Sequence, residues 1–142
     1  RYREVSFFGN GPTAPAKAAA MATGLGFALV GMGTPGLRTV LDRALPDPGE
    51  GPSESARKAG RFRIEVNAKT TSGATYVSPI AASGDPGYAA TSVMISEAAL
   101  CLALESDSLP DRAGVLTPAT AMGDQLAERL RRADCTVEVK KV

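Results

Sequence analysis

Between Arg61 and Lys69 the chain alternates without a break, with Phe62, Ile64, Val66 and Ala68 set between Arg61, Arg63, Glu65, Asn67 and Lys69. A period of two places the first set on one face of a strand and the second on the other. One apolar and one charged face describe a half-exposed antiparallel strand, because parallel strands are covered on both sides. Thr71-Ser72-Gly73 supplies a reversal, and Ala74 to Ala82 is expected to return as the partner strand. Pro79 cannot donate to a ladder, which predicts an edge position or a bulge there. Everything else in the chain has to pack beside this antiparallel ribbon.

The flanking segments read mainly as helices. The opening RYREVSFF reads as a strand, and Asn10-Gly11-Pro12 as a turn. Thr13 is placed to cap a helix starting near Ala14, with Pro15 close to its first position. That helix is small, apolar and almost uncharged, so it is expected to be buried, and loosened or broken at Gly24, Gly26, Gly31 and Gly33. A second helical piece runs from Leu37 to Leu45. Three prolines and two glycines between Pro46 and Pro52 make a stiff loop, after which Ser53 caps a short charged turn, Glu54 to Lys58. Ala89 to Glu105 is apolar nearly all round and is expected to be the central buried helix. Thr117-Pro118 opens the last helix, and Cys135, Val137 and Val139 alternate in a closing strand. The order strand, helices, hairpin, helix, helix, strand predicts an α+β fold, a mixed α/β sandwich with a hairpin-containing antiparallel sheet against helices. Residues 1–142 read as one domain without internal repeats.

Composition narrows the chemistry. Sixteen basic and fifteen acidic residues leave a net charge of +1, which offers no long-range field to nucleic acid. The cluster Arg129, Arg131, Arg132, Lys140 and Lys141 reads as cations at a helix C-terminus and on a solvated strand face. Histidine is absent, so imidazole serves neither as base nor as metal ligand. Cys101 and Cys135 lack CxxC spacing and read as buried thiols of a reducing compartment, so no metal site is expected. Glycine and proline interrupt every apolar stretch before about 18 residues, so neither a signal peptide nor a transmembrane segment is expected.

Three loops draw attention. Gly31-Met32-Gly33-Thr34-Pro35-Gly36 matches G-x-G-x-x-G after an apolar FALV, and a true match would seat a dinucleotide pyrophosphate on the following helix. The Ala-rich run before it reads more readily as helix than as strand, which counts against the match. Gly84-Asp85-Pro86-Gly87-Tyr88 is a rigid loop at a helix N-terminus, where backbone N–H groups favour an anionic or carbonyl oxygen. Tyr88 is the candidate proton donor and Asp85 its polar companion, with Gly84, Pro86 and Gly87 lining a cleft. The competing reading makes Asp85 a helix cap and Tyr88 a packing residue. Gly49, Glu50 and Gly51 form the second cleft candidate, or else a plain connection.

Three stretches, LPDPGEGPSESARKAGRFRIEV (45–66), ASGDPGYAATSVMISEAALCLA (82–103) and GVLTPATAMGDQLAERLRRADCTVEV (114–139), taken in order, resemble the C-terminal part of saccharopine-dehydrogenase-like oxidoreductases. More narrowly, they resemble the bacterial branch of trans-acting enoyl reductases of polyketide lipid synthesis. The resemblance implies that the chain is a C-terminal domain on the substrate or dimerisation side. NAD(P)H would be held by an N-terminal Rossmann domain absent here, and no cofactor would bind this fragment. It implies a lipid-like enoyl substrate, docking against the Rossmann part, a homodimer as an option, and a cytoplasmic location, with membrane association only through partners. It also makes the Gly31–Gly36 match accidental and the fragment inactive alone. Two alternatives stay open: a non-catalytic dimerisation or acyl-binding module, and an independent dinucleotide-binding domain built on Gly31–Gly36.

Overall fold

The computed structural model describes residues 2–47 and 49–142, leaving aside the side chain of Ala44. The chain divides into two compact units, Arg1–Gly51 and Pro52–Val142.

In the first unit residues 2–9 form no strand, although one is expected from their sequence. Two helices follow, α1 (Ala14–Gly33) and α2 (Pro35–Ala44). Thr13 has a near-helical backbone and its side chain makes no capping bond, so Pro15 is the only start signal of α1 that acts as expected. The helix runs unbroken through Gly24 and Gly26, which face open space. The surrounding alanines, strong helix formers, offset the roughly 0.5–1 kcal/mol that each interior glycine costs. Gly31 has another reason to be glycine, since a Cβ there would stand 2.5 Å from Leu41 Cδ1 of α2. Thr34 ends α1 in an extended conformation, as the residue before a proline prefers.

The expected burial of α1 does not hold. Only Gly31 is buried, and Met21, Leu25, Phe27, Leu29, Val30 and Met32 are all more than half exposed. Because the glycines do not interrupt it, α1 is long and apolar enough to cross a membrane by length and composition. Beyond α2, Glu50 N donates to the carbonyl of Asp47 at 2.9 Å, and Gly49 takes a positive φ of 93°. Pro48, part of the expected stiff loop, lies outside the described residues.

The second unit carries the sheet. It contains α3 (Glu54–Ala59), β1 (Arg61–Lys69), β2 (Thr75–Ser83), α4 (Ala89–Leu104), a 3-10 turn (Ser106–Ser108), α5 (Pro118–Arg132), β3 (Thr136–Val137) and β4 (Lys140–Lys141). β1 and β2 pair antiparallel from Arg61 opposite Ser83 to Lys69 opposite Thr75, which is the hairpin the alternation predicts. The turn closes through Thr70 N to the Ala74 carbonyl at 2.9 Å, with Gly73 at a φ of 90°.

Pro79 is neither on an edge nor at a bulge. β2 is the central strand, bonded to β1 on one side and to β3 and β4 on the other. Ile80 faces Val137, and Val77 faces Lys140 in the same register, so β3 and β4 are one closing strand interrupted opposite Ser78 and Pro79. The missing proline N–H explains the interruption. The gap is bridged by Glu138 N donating to the Pro79 carbonyl at 3.2 Å and by the Ser78 hydroxyl donating to the Glu138 carbonyl at 2.6 Å.

α4 and α5 pack together beside the sheet. On α4 the covered stripe is Ala90, Met94, Glu97, Ala98 and Cys101, the three-to-four spacing of one helix face. The α+β architecture stands, but α4 is not buried all round: Ile95, Leu102 and Leu104 are 67%, 52% and 70% exposed. Ser53 and Thr117 cap α3 and α5 as expected, accepting from Ala56 N and Thr120 N. α5 is kinked at Gly123, whose φ of 53° and ψ of −131° are open only to glycine.

Candidate functional site

The corner where α3 runs into β1 receives the Gly84–Tyr88 loop. Gly84 N donates to the Gly60 carbonyl at 2.8 Å and Asp85 N to the Arg57 carbonyl at 2.9 Å. This contact is possible because residue 60 is a glycine, since a Cβ there would lie 2.6 Å from Asp85 Cα. Gly84 sits at a φ of 91°, a conformation glycine adopts without strain, which turns the chain from β2 toward α4.

Asp85 fixes the start of α4. Its Oδ2 accepts from Gly87 N at 3.1 Å and Tyr88 N at 3.0 Å, and its Oδ1 accepts from Ala89 N at 3.1 Å. The carboxylate thus occupies the free N–H groups that would otherwise attract an anionic ligand, and its charge suits the positive end of the helix. Of the two readings left open by the sequence, the geometry gives Asp85 the cap.

Tyr88 is half exposed and borders an open groove of about 600 Å³. Glu54, Arg57 and Lys58 of α3 form one side, and Gly87, Tyr88, Ala89, Thr91 and Ser92 the other. Lys58 Nζ pairs with Glu54 Oε1 at 2.7 Å across one turn of α3. Thr91 donates to the Pro86 carbonyl and Ser92 to the Ala89 carbonyl, which leaves their oxygens as acceptors. The groove has the size of a small-molecule cleft and presents Arg57, the Lys58–Glu54 ion pair, a phenol and two hydroxyls. Of the loop residues predicted from sequence, Gly87 and Tyr88 line it, while Gly84 and Asp85 hold its frame. Gly49, Glu50 and Gly51 belong to the first unit.

The residue that sequence reasoning misread is Arg129. It stands in the last turn of α5 as expected, but it is covered and paired rather than solvated. Its Nε donates to Glu97 Oε2 and its Nη1 to Glu105 Oε1, both at 2.8 Å, with all three side chains less than a quarter exposed. The Glu105 hydrogen bond, supported by the charge of Glu97, raises the guanidinium pKa further against the desolvation that lowers it. The two glutamates stand eight residues apart, Glu97 within α4 and Glu105 just past its end, too far for a local pattern to reveal a shared partner.

Cys101 is fully buried and Cys135 nearly so, both as free thiols. Burial raises both thiol pKa values. Glu105 adds to the effect at Cys101 while Arg129 opposes it, and Asp134 adds at Cys135. Among the described residues no group of three or more acidic or thiol side chains converges to hold a metal ion.

The Gly31–Gly36 match lacks the setting of a dinucleotide site. Gly31 to Gly36 span the last turn of α1 and the first of α2, with no strand before them. The pyrophosphate seat requires a strand, a tight glycine turn and a helix N-terminus in sequence. Gly31 instead serves the contact between the two helices.

Comparison with known proteins adds a family context. A Mycobacterium tuberculosis protein, provisionally named a trans-acting enoyl reductase, is 42% identical over 146 aligned residues, all of this chain and 35% of that protein. A trans-acting enoyl reductase of Mycobacterium ulcerans is 38% identical over all of this chain and 34% of its own length. Another, from Mycobacterium bovis, is 39% identical over 92% of this chain and 32% of its own. The chain therefore spans about a third of the curated relatives it matches. No family model and no solved structure matches it.

Proposed function

We propose that this chain is the C-terminal, substrate-side part of an NAD(P)H-dependent enoyl reductase of the saccharopine-dehydrogenase-like kind, acting in polyketide-type lipid synthesis in the cytoplasm. The observation that carries the reading is the alignment itself, end to end at 42% identity with a named enoyl reductase about three times as long. Two features agree with a part that works beside others. The Gly31–Gly36 stretch lies between two helices with no strand before it, and α4 carries an apolar face that nothing in its own unit covers.

Within this reading the groove beside Tyr88 receives the enoyl group. Reduction of an enoyl thioester leaves the carbon next to the carbonyl in need of a proton, and the Tyr88 phenol is the only phenol bordering the groove. Arg57 on the facing wall, beside the Lys58–Glu54 pair, would hold the carbonyl side of the substrate by charge and hydrogen bonding. Asp85 acts through the helix start and is a positioning residue. Alone, the fragment has no reductant and is inactive.

Titrating NADPH and NADH onto the 142-residue chain tests the division of labour. The expected result is no heat and no amide shifts. Micromolar binding abolished by Gly33→Val would overturn it and make the glycine match a cofactor site.

A further inference from the structure

From Ala18 to Gly33 the helix α1 carries no charge, and Thr23 is its one polar side chain there. Its large apolar residues lie on opposite sides. At about 3.6 residues per turn Met21, Leu25, Leu29 and Met32 share one side, while Phe27 and Val30 stand across from them. A helix resting on a protein surface keeps a polar face toward water. One that is apolar all round is enclosed either by a protein core or by a membrane.

Three observations separate these two settings. The first is glycine. A Cβ at Gly24, Gly26 or Gly33 would meet nothing, so no close approach within this unit calls for them. In water such glycines weaken a helix. In hydrocarbon the backbone N–H and C=O groups have no partners but each other, so the helix holds through them, and glycine is frequent in membrane helices. The second is length. Twenty residues at a rise of about 1.5 Å make about 30 Å, the thickness of the bilayer hydrocarbon. The third is charge. Lys17 stands in the first turn of α1, before the uncharged run, and Arg38, Asp42 and Arg43 follow it on α2. Arg38 and Asp42 face each other in an exposed pair. Long cationic side chains beyond both ends of an apolar helix reach the level of lipid phosphates. Leu37 and Leu41 of α2 close on Gly31, which sets this charged helix at the end of the apolar one.

We infer that α1 is seated in the hydrocarbon of a lipid bilayer, with Lys17 and the α2 arginines at the level of the phosphates. The membrane contact then belongs to this chain's own helix and needs no partner protein. The inference does not rest on the proposed reductase function, since lipid binding is read without any assay of activity.

Vesicles of phosphatidylcholine and phosphatidylglycerol are floated with the 142-residue chain, and with the M. tuberculosis relative carrying this chain in place of its aligned third. Both proteins are expected to rise with the lipid and to stay with it in about 1 M salt, where charge attraction is screened beyond about 3 Å. Leu25→Asp together with Leu29→Asp should leave both at the bottom, with melting temperatures in lipid-free buffer unchanged. A fluorophore attached in turn through Leu25→Cys, Gly26→Cys, Phe27→Cys and Ala28→Cys goes once round the helix, while Cys101 and Cys135 are buried. Brominated acyl chains should quench it at all four positions. A longer protein that stays at the bottom while the 142-residue chain floats would place α1 in a protein core and overturn the inference. Flotation that survives the double substitution, or a lower melting temperature of the longer protein carrying it, would do the same. Quenching confined to one side is the mark of a helix lying at the membrane surface, and would also overturn it.

Discussion

A Cβ at Gly60 would lie 2.6 Å from Asp85 Cα, so the corner between α3 and β1 and the loop before α4 meet through a missing side chain. The atoms in the way are backbone, and they have no rotamer to yield. Gly60→Ala should therefore lower the unfolding free energy by about 1–3 kcal/mol, read as a lower midpoint in urea. An unchanged midpoint would show that the loop shifts away at no cost.

Asp85 binds three backbone N–H groups with one carboxylate. Asp85→Ala should cost about 1 kcal/mol, within the usual range of about 0.5–2 for a lost cap. Asp85→Asn should fall between Ala and the parent, because its single amide oxygen keeps part of the pattern without the charge. Equal stability of all three in urea would remove the cap assignment.

Arg129 of α5 joins Glu97 of α4 and Glu105 at its C-terminal end with all three side chains largely covered, whereas Arg132 is 72% exposed beside Glu128. Removing the central cation leaves two like charges facing each other without a partner. Arg129→Met should lower the melting temperature clearly more than Arg132→Met. Arg129→Lys should rescue only part of the loss, since an ammonium cannot reproduce the fork that reaches both carboxylates. Similar effects at both positions would contradict the bridging role.

Burial raises the thiol pKa values of Cys101 and Cys135. The folded state then holds the thiol protons more tightly than the unfolded chain. Their stabilising contribution is complete below the unfolded value of about 8.5 and is lost as pH rises through the folded values. Stability should decline on the alkaline side, and Cys101→Ala with Cys135→Ala should flatten that decline. Thiol reagents should label Cys101 only as fast as the chain unfolds, and rapid native labelling would contradict its burial.

The sequence carried the hairpin because strict alternation from Phe62 to Ala68 has one structural meaning, and the caps at Ser53 and Thr117 because their signals are local. Burial was less legible. The composition of α1 and α4 says that they are apolar, but not which faces this chain itself covers. Gly24 and Gly26 count as helix breakers only if nothing offsets them, and the neighbouring alanines do. Pro79 was misplaced because a central strand tolerates a proline where its neighbour is interrupted, and that neighbour lies about 60 residues away. At the site, the Gly84–Tyr88 loop was visible through its glycines and proline. The facing wall from α3 depends on a long-range contact and was not.

On the proposed function, this chain supplies the substrate side of an enoyl reductase. The direct measurement replaces the aligned third of the M. tuberculosis relative with this chain and follows NADPH oxidation with an enoyl thioester. The exchanged protein is expected to keep enoyl-dependent oxidation, and Tyr88→Phe to lower its kcat about 100-fold or more while the melting temperature stays unchanged. A folded, cofactor-binding exchange protein that reduces no enoyl thioester while the unexchanged relative does, or one indifferent to Tyr88→Phe, would contradict that function.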